Sequence, residues 1–180
     1  MRTLFRFPNP VNELAARTVA AGVVLLSAVT LALSLAAGSG WLWLTAVLAG
    51  GFLARVATGP TLSPLGQLAS RVIAPRLGPA RLVPGPPKRF AQGLGAVMTV
   101  TAAGLHFGFG FDGAAEVFVG LIIVAATLES AFAICLGCIV FGALMKVGVI
   151  PASACEACNS VGDRLAALAP ASASPARVAG

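Results

Sequence analysis

The chain has 180 residues, of which 58% are hydrophobic and only 10% are charged, with no Tyr. A mean hydropathy of +0.93 leaves too little polar surface to clothe a water-soluble globule, so lipid is the expected solvent for much of the chain. The net charge of +6 would suggest nucleic acid in a soluble protein. Here the basic residues lie between apolar runs and are expected to face anionic lipid head groups, with no nucleic-acid partner.

Four apolar stretches approach the roughly 20 residues that cross a bilayer core, so the expected fold is all-α, a polytopic membrane protein of four helices. The first covers about 11–37 and includes Thr18-Val-Ala-Ala-Gly-Val-Val-Leu-Leu26. Its basic start and Leu35-Ala-Ala-Gly-Ser39 offer a cleaved signal peptide as the competing reading. The apolar run exceeds the roughly 7–15 residues of a signal core, which favours a retained helix. After the uncharged Gly38-Ser-Gly40, the second span covers about 41–57. Trp41 and Trp43 open it at the expected outer boundary, where indoles settle.

Thr61 to Pro87 forms the longest connector. Ser63-Pro64 offers an N-cap followed by Pro at the first helical position. Leu65, Leu68, Val72 and Ile73 then recur at helical spacing until Pro75 is expected to stop the helix. This predicts a short interfacial helix on the inner leaflet; an acidic docking partner is the alternative. Pro79, Pro84, Pro86 and Pro87 keep the rest extended. The third span covers about 90–109, and its Gly104-x-x-x-Gly108 is a candidate for close helix approach. The fourth covers about 114–136, with an apolar helical extension to about 150, where Gly137 and Gly142 favour a bend and Pro151 a stop. Residues 1–159 form the expected single domain, and 160–180 an expected disordered tail.

The Lys and Arg residues set the topology. With four spans, Arg2, Arg6 and Arg17, the connector cations from Arg55 to Arg89, and Lys146, Arg164 and Arg177 all fall on one side. The positive-inside rule makes that side the cytoplasm, with both termini there.

The chemistry concentrates in four cysteines, arranged as Cys135-Leu-Gly-Cys138 and Cys155-Glu-Ala-Cys158. Both pairs are expected at the cytoplasmic face. Their spacing fits the C-x₂-C-x₁₅₋₂₀-C-x₂-C window of a zinc site, in which Cys135, Cys138, Cys155 and Cys158 would close a tetrahedron. The apolar surroundings of the first pair raise thiol pKa and count against thiolate ligands. The same four residues fit thiol–disulfide exchange, with one pair at the membrane and one in a mobile tail. A third possibility is small buried hydrophobes with no site.

Glu129 lies within the fourth span, where a carboxylate marks a buried pairing or a solute path. His106 and Arg55 are its candidate partners. Asp112 and Glu116 are expected to face solvent in the outer turn. Phosphate-loop, dinucleotide, zinc-protease and nucleophile-elbow motifs are absent from the sequence.

Pro75-Arg-Leu77, Pro87-Lys-Arg-Phe-Ala-Gln-Gly-Leu-Gly95, Leu128-Glu-Ser130 and Cys135-Leu-Gly-Cys138 together resemble the DUF4395 family of bacterial membrane proteins. Cys155-Glu-Ala-Cys158-Asn159 looks like the ending of its actinobacterial members. The resemblance runs from the first span to Asn159 and implies the membrane fold and a place in a bacterial inner membrane, but no substrate. An association with thioredoxin-like or rhodanese-like proteins is implied, and with it thiol or sulfur chemistry. Three function classes follow: a membrane protein exchanging electrons or sulfur with a soluble thiol partner, a structural zinc site on a small transporter moving a solute past Glu129, or a scaffold.

Overall fold

The computed structural model describes residues 7–155 and Cys158, so the expected tail at 160–180 lies outside the described residues. Helix α1 (Glu13–Ala37) begins where the Asn12 side chain accepts the Leu14 N–H at 3.1 Å, and Glu13 complements its first turn. It ends at Gly38, whose φ of 105° suits only glycine. A 3₁₀ turn at Ser39–Trp43 feeds α2 (Leu44–Thr58). A short helical connector follows, made of α3 (Pro64–Leu68), a π turn at Ala69–Ile73 and α4 (Ala74–Leu77). Then come α5 (Gly85–Gly104), a π turn at Leu105–Phe109, α6 (Asp112–Phe132) and α7 (Leu136–Lys146). Two short strands, β1 (Val11–Asn12) and β2 (Leu82–Val83), pair antiparallel.

The long helices alternate in direction. Ser34 Oγ donates to Glu116 Oε1 at 2.7 Å, whereas Arg17 donates to the carbonyls of Ser130 and Ala131, so α1 and α6 are antiparallel. Arg55 meets Gln92 while Leu42 packs with Ala102, so α2 and α5 are antiparallel as well. Lys88 meets Glu129 and sets α5 against α6. One end of the bundle therefore gathers the start of α1, the end of α2, the start of α5 and the end of α6. Val19, Val23, Leu48, Phe52, Ala96 and Ile122 fill its core.

Three helices are long and apolar enough to cross a membrane: Glu13–Ala37, Ser39–Thr58 and Asp112–Phe132. The expected third span is helical too, but Gln92, Thr99, Thr101 and several glycines dilute the hydropathy of α5. Trp41 and Trp43 are exposed at the end of the bundle opposite Lys88.

The connector helix keeps its expected start but not its expected stop. Ser63 Oγ accepts the Gly66 N–H at 3.2 Å, with Pro64 in the first turn. The helix passes through Pro75 to Leu77, because the π turn before it rearranges the hydrogen bonds that proline would break, the Ala74 N–H returning to Ala69. Small residues face inward (Gly66, Ala69, Ala74), while Leu68 and Val72 face outward.

The fourth apolar run also departs from expectation. α6 stops at Phe132 rather than near 136, because Ala133 adopts a left-handed conformation (φ 58°). The N–H groups of Ala133 and Ile134 both turn back to the Leu128 carbonyl. The bend thus precedes Gly137 instead of using it. α7 ends at Lys146, short of Pro151. Gly104 and Gly108 meet nothing that a side chain would touch, so they are not the close-approach pair. Gly22 against Leu65, Gly95 against the Phe52 ring and Gly137 against Ala91 serve that purpose.

Candidate functional site

The turn at Ala133 aims the chain so that Cys135 becomes the N-cap of α7. Its sulfur accepts the Cys138 N–H at 3.3 Å and the Cys138 thiol at 2.6 Å. The C-x-x-C spacing produces this geometry: three residues on from a cap is the position whose amide the cap side chain reaches. Gly137 lets α7 press onto α5, since a Cβ there would sit 2.5 Å from Ala91 Cα. Cys135 is buried and Cys138 half-buried, and both are free thiols.

The pair lies past the end of α6, and its two thiols differ. The hydrogen bond from Cys138 holds Cys135 below the ordinary thiol range, aided by Lys88 and opposed by burial and by Glu129. Cys138 is pushed up by its hydrogen bond to Cys135, then by burial and by the charge on Cys135. Apolar surroundings thus add to the rise at Cys138 but are overridden at Cys135, where the hydrogen bond from the Cys138 thiol wins.

Lys88 Nζ pairs with Glu129 Oε1 at 2.8 Å, both side chains being largely buried. Neither candidate partner of Glu129 takes that role. His106 instead pairs with Asp112 at 2.7 Å in the opposite turn, and Arg55 turns to Gln92 and Ser63. Asp112 is therefore engaged by a side chain, and Glu116 accepts from Ser34, so neither is simply a solvent-facing carboxylate. Lys88, Cys135 and Cys138 line one surface cleft, bounded on its far side by Glu13. Glu129 and Cys135 also line a second cavity of about 280 Å³ that runs between α1, α5 and α6.

Cys155 and Cys158 are joined as a disulfide, and the turn carrying Cys155 packs, like α7, against α5. Among the described residues, no group of three or more His, Cys, Asp and Glu side chains is gathered to hold a metal ion. A four-thiolate zinc site would need both pairs reduced and brought together.

Sequence reasoning missed Lys88 and Arg17 as site-building residues. Lys88 is one cation among several in a basic connector, and its partner lies 41 residues away. The one available signal was depth: Lys88 opens a helix at the same end where Glu129 approaches the end of its own. Arg17 carries a fork that caps the exposed carbonyls of α6, a role for which sequence offers no cue.

Apolar helices of spanning length, with a helix-capped dithiol at one end, define the class as a helical membrane protein. The chain belongs to the family described as a domain of unknown function (DUF4395), whose model matches residues 11–146. That match includes Lys88, Glu129, Cys135 and Cys138 and ends before Cys155. No curated protein and no solved structure matches the chain.

Proposed function

We propose that the protein is a thiol–disulfide exchanger of the bacterial inner membrane, in which Cys135 is the nucleophile and Cys138 the resolving thiol. The observation that carries this reading is the Cys135 sulfur at the N-terminus of α7, accepting both the amide and the thiol of Cys138 beside Lys88. A helix N-terminus and a nearby cation are the surroundings that turn a thiol into a reactive thiolate.

Once the segment carrying the Cys155–Cys158 disulfide is brought to the thiol cleft, the Cys135 thiolate attacks one of its sulfurs. That S–S bond breaks, a mixed disulfide forms, and the departing thiolate takes up a proton. Cys138 then loses its proton and attacks Cys135 Sγ, which leaves a Cys135–Cys138 disulfide and a Cys155/Cys158 dithiol. Two electrons and two protons have moved to the second pair. The dithiol of a soluble thioredoxin-like partner reduces Cys135–Cys138, and the Cys155/Cys158 dithiol passes its two electrons and two protons to a disulfide substrate, which restores the Cys155–Cys158 disulfide and closes the cycle. In this reading four spans place both termini and all four thiols on the cytoplasmic side, supported by the one-sided Lys and Arg pattern, and α3 to α4 lies on the inner leaflet.

Purified Cys138→Ser protein tests it. The resolving step is removed, so a mixed disulfide between Cys135 and Cys155 or Cys158 should accumulate and be mapped in a non-reducing digest. About one zinc per chain, lost on replacing any single Cys, would sink the exchange reading. So would thiols that stay inert to a thioredoxin-like dithiol.

A further inference from the structure

Arg55 is 6% exposed, yet among the described residues it pairs with no carboxylate. Its guanidinium donates through Nε to Gln92 Oε1 at 2.8 Å and through Nη1 to Ser63 Oγ at 3.2 Å. It also lies over the Phe52 ring, 4.5 Å from the centroid, and against Gly51. These contacts use two of its five N–H groups and supply no negative charge. A buried cation without a counter-charge is expensive, and within apolar helices it marks a site by default.

Beside it lies an open cavity of about 240 Å³, lined by Arg55, Lys88, Gln92, Asn12 and Ser70. Lys88 gives one bond to Glu129 and remains a second cation at the wall. The polar residues of this cavity are donors or neutral, and among the described residues no acidic side chain lines it. The cavity is separate from the thiol cleft and adjoins it only through Lys88.

We propose that this cavity binds an oxyanion of the phosphate type, with Arg55 as its principal ligand and Lys88 as the second. A guanidinium fork fits two oxygens of such a group, and the apolar remainder of the cavity has room for a body attached to it. The same chemistry is presented by free phosphate and by an anionic lipid head group at the end of the bundle.

The test uses the full chain. Its melting midpoint is followed in neutral detergent against inorganic phosphate, with chloride at matched ionic strength as the baseline. It is followed again in bilayer discs of phosphatidylglycerol against discs of phosphatidylcholine. A saturable rise with phosphate assigns a free oxyanion; a rise only with phosphatidylglycerol assigns the head group. In either case Arg55→Gln should weaken the response at least tenfold, while Arg71→Gln on the exposed connector should leave the response to inorganic phosphate unchanged. Should Arg55→Gln fail to fold, Ala16→Leu decides, because it fills the cavity wall and leaves both cations in place. No response above either baseline overturns the proposal, as does an undiminished response in whichever of the two variants folds.

Discussion

At the residue scale, the asymmetry between two neighbouring thiols decides what the site can do. Cys135 is held down by hydrogen bonding from Cys138, and Cys138 is pushed up by the same bond. Alkylation by iodoacetamide, mapped by peptide, should therefore modify Cys135 at a pH where Cys138 stays protonated. Lys88 and Glu129 act on Cys135 with opposite signs. Removing the cation in Lys88→Met disfavours the thiolate, moves the Cys135 alkylation midpoint to higher pH, and slows its modification near pH 7 by roughly threefold to tenfold. Removing the anion in Glu129→Gln favours the thiolate and moves the midpoint to lower pH. Two shifts of the same sign would show that neither charge acts on Cys135 directly. The cysteines themselves were legible in sequence, because paired spacing survives any fold. Their inequality was not, because it depends on a cap that exists only once α6 has ended at Phe132.

At the element scale, local chemistry was read well where it is self-contained and poorly where backbone departs from propensity. Ser63-Pro64 announced a helix start because the cap bond closes within three residues. The end at Ala133 was hidden, since alanine in the left-handed region contradicts its own preference and is held there by the surrounding structure. Ala133→Gly should relieve that strain and raise stability by about 1 kcal/mol, measured by denaturant unfolding in detergent. Gly137 reads in the sequence as a helix weakener, but in the fold its lack of a side chain matters for packing. Gly137→Val should cost about 1–3 kcal/mol through overpacking against Ala91. The same change should lift α7 from α5 and slow Cys135 alkylation, a coupling that a merely destabilised helix elsewhere would not produce. Pro75 misled because the rule that proline ends a helix assumes regular i→i−4 bonding, and the π turn at Ala69–Ile73 suspends it.

At the scale of the whole molecule, hydropathy is enough to announce an all-helical chain with helices long enough to cross a membrane. Antiparallel order then follows from pairs that sequence could not match, such as Ser34 with Glu116 and Arg17 with Ser130. Gly40, in the turn before α2, and Gly113, in the first turn of α6, stand at the end opposite Cys135, with open space around both. In a cysteine-free background, Gly40→Cys and Gly113→Cys should react with a membrane-impermeant maleimide added to intact cells. A lone Cys135 should react only after the membrane is permeabilised. Labelling of Cys135 in intact cells would invert the proposed orientation and place the thiols in an oxidising compartment.

The small ribbon of Val11–Asn12 with Leu82–Val83 bears on how the chain is made. The Glu13 N–H reaches the Arg81 carbonyl at 2.7 Å, and Gly85 donates to the Asn9 side chain at 3.0 Å. A chain emerging from the ribosome delivers the first strand long before the second, so residues 11–12 wait for their strand partner while α1 and α2 are made. The clasp closes only as α5 arrives, and in closing it fixes the start of the first helix to the start of the third long one. Until residues 82–85 have been made, the start of α1 lacks the backbone partners that hold it in the finished fold.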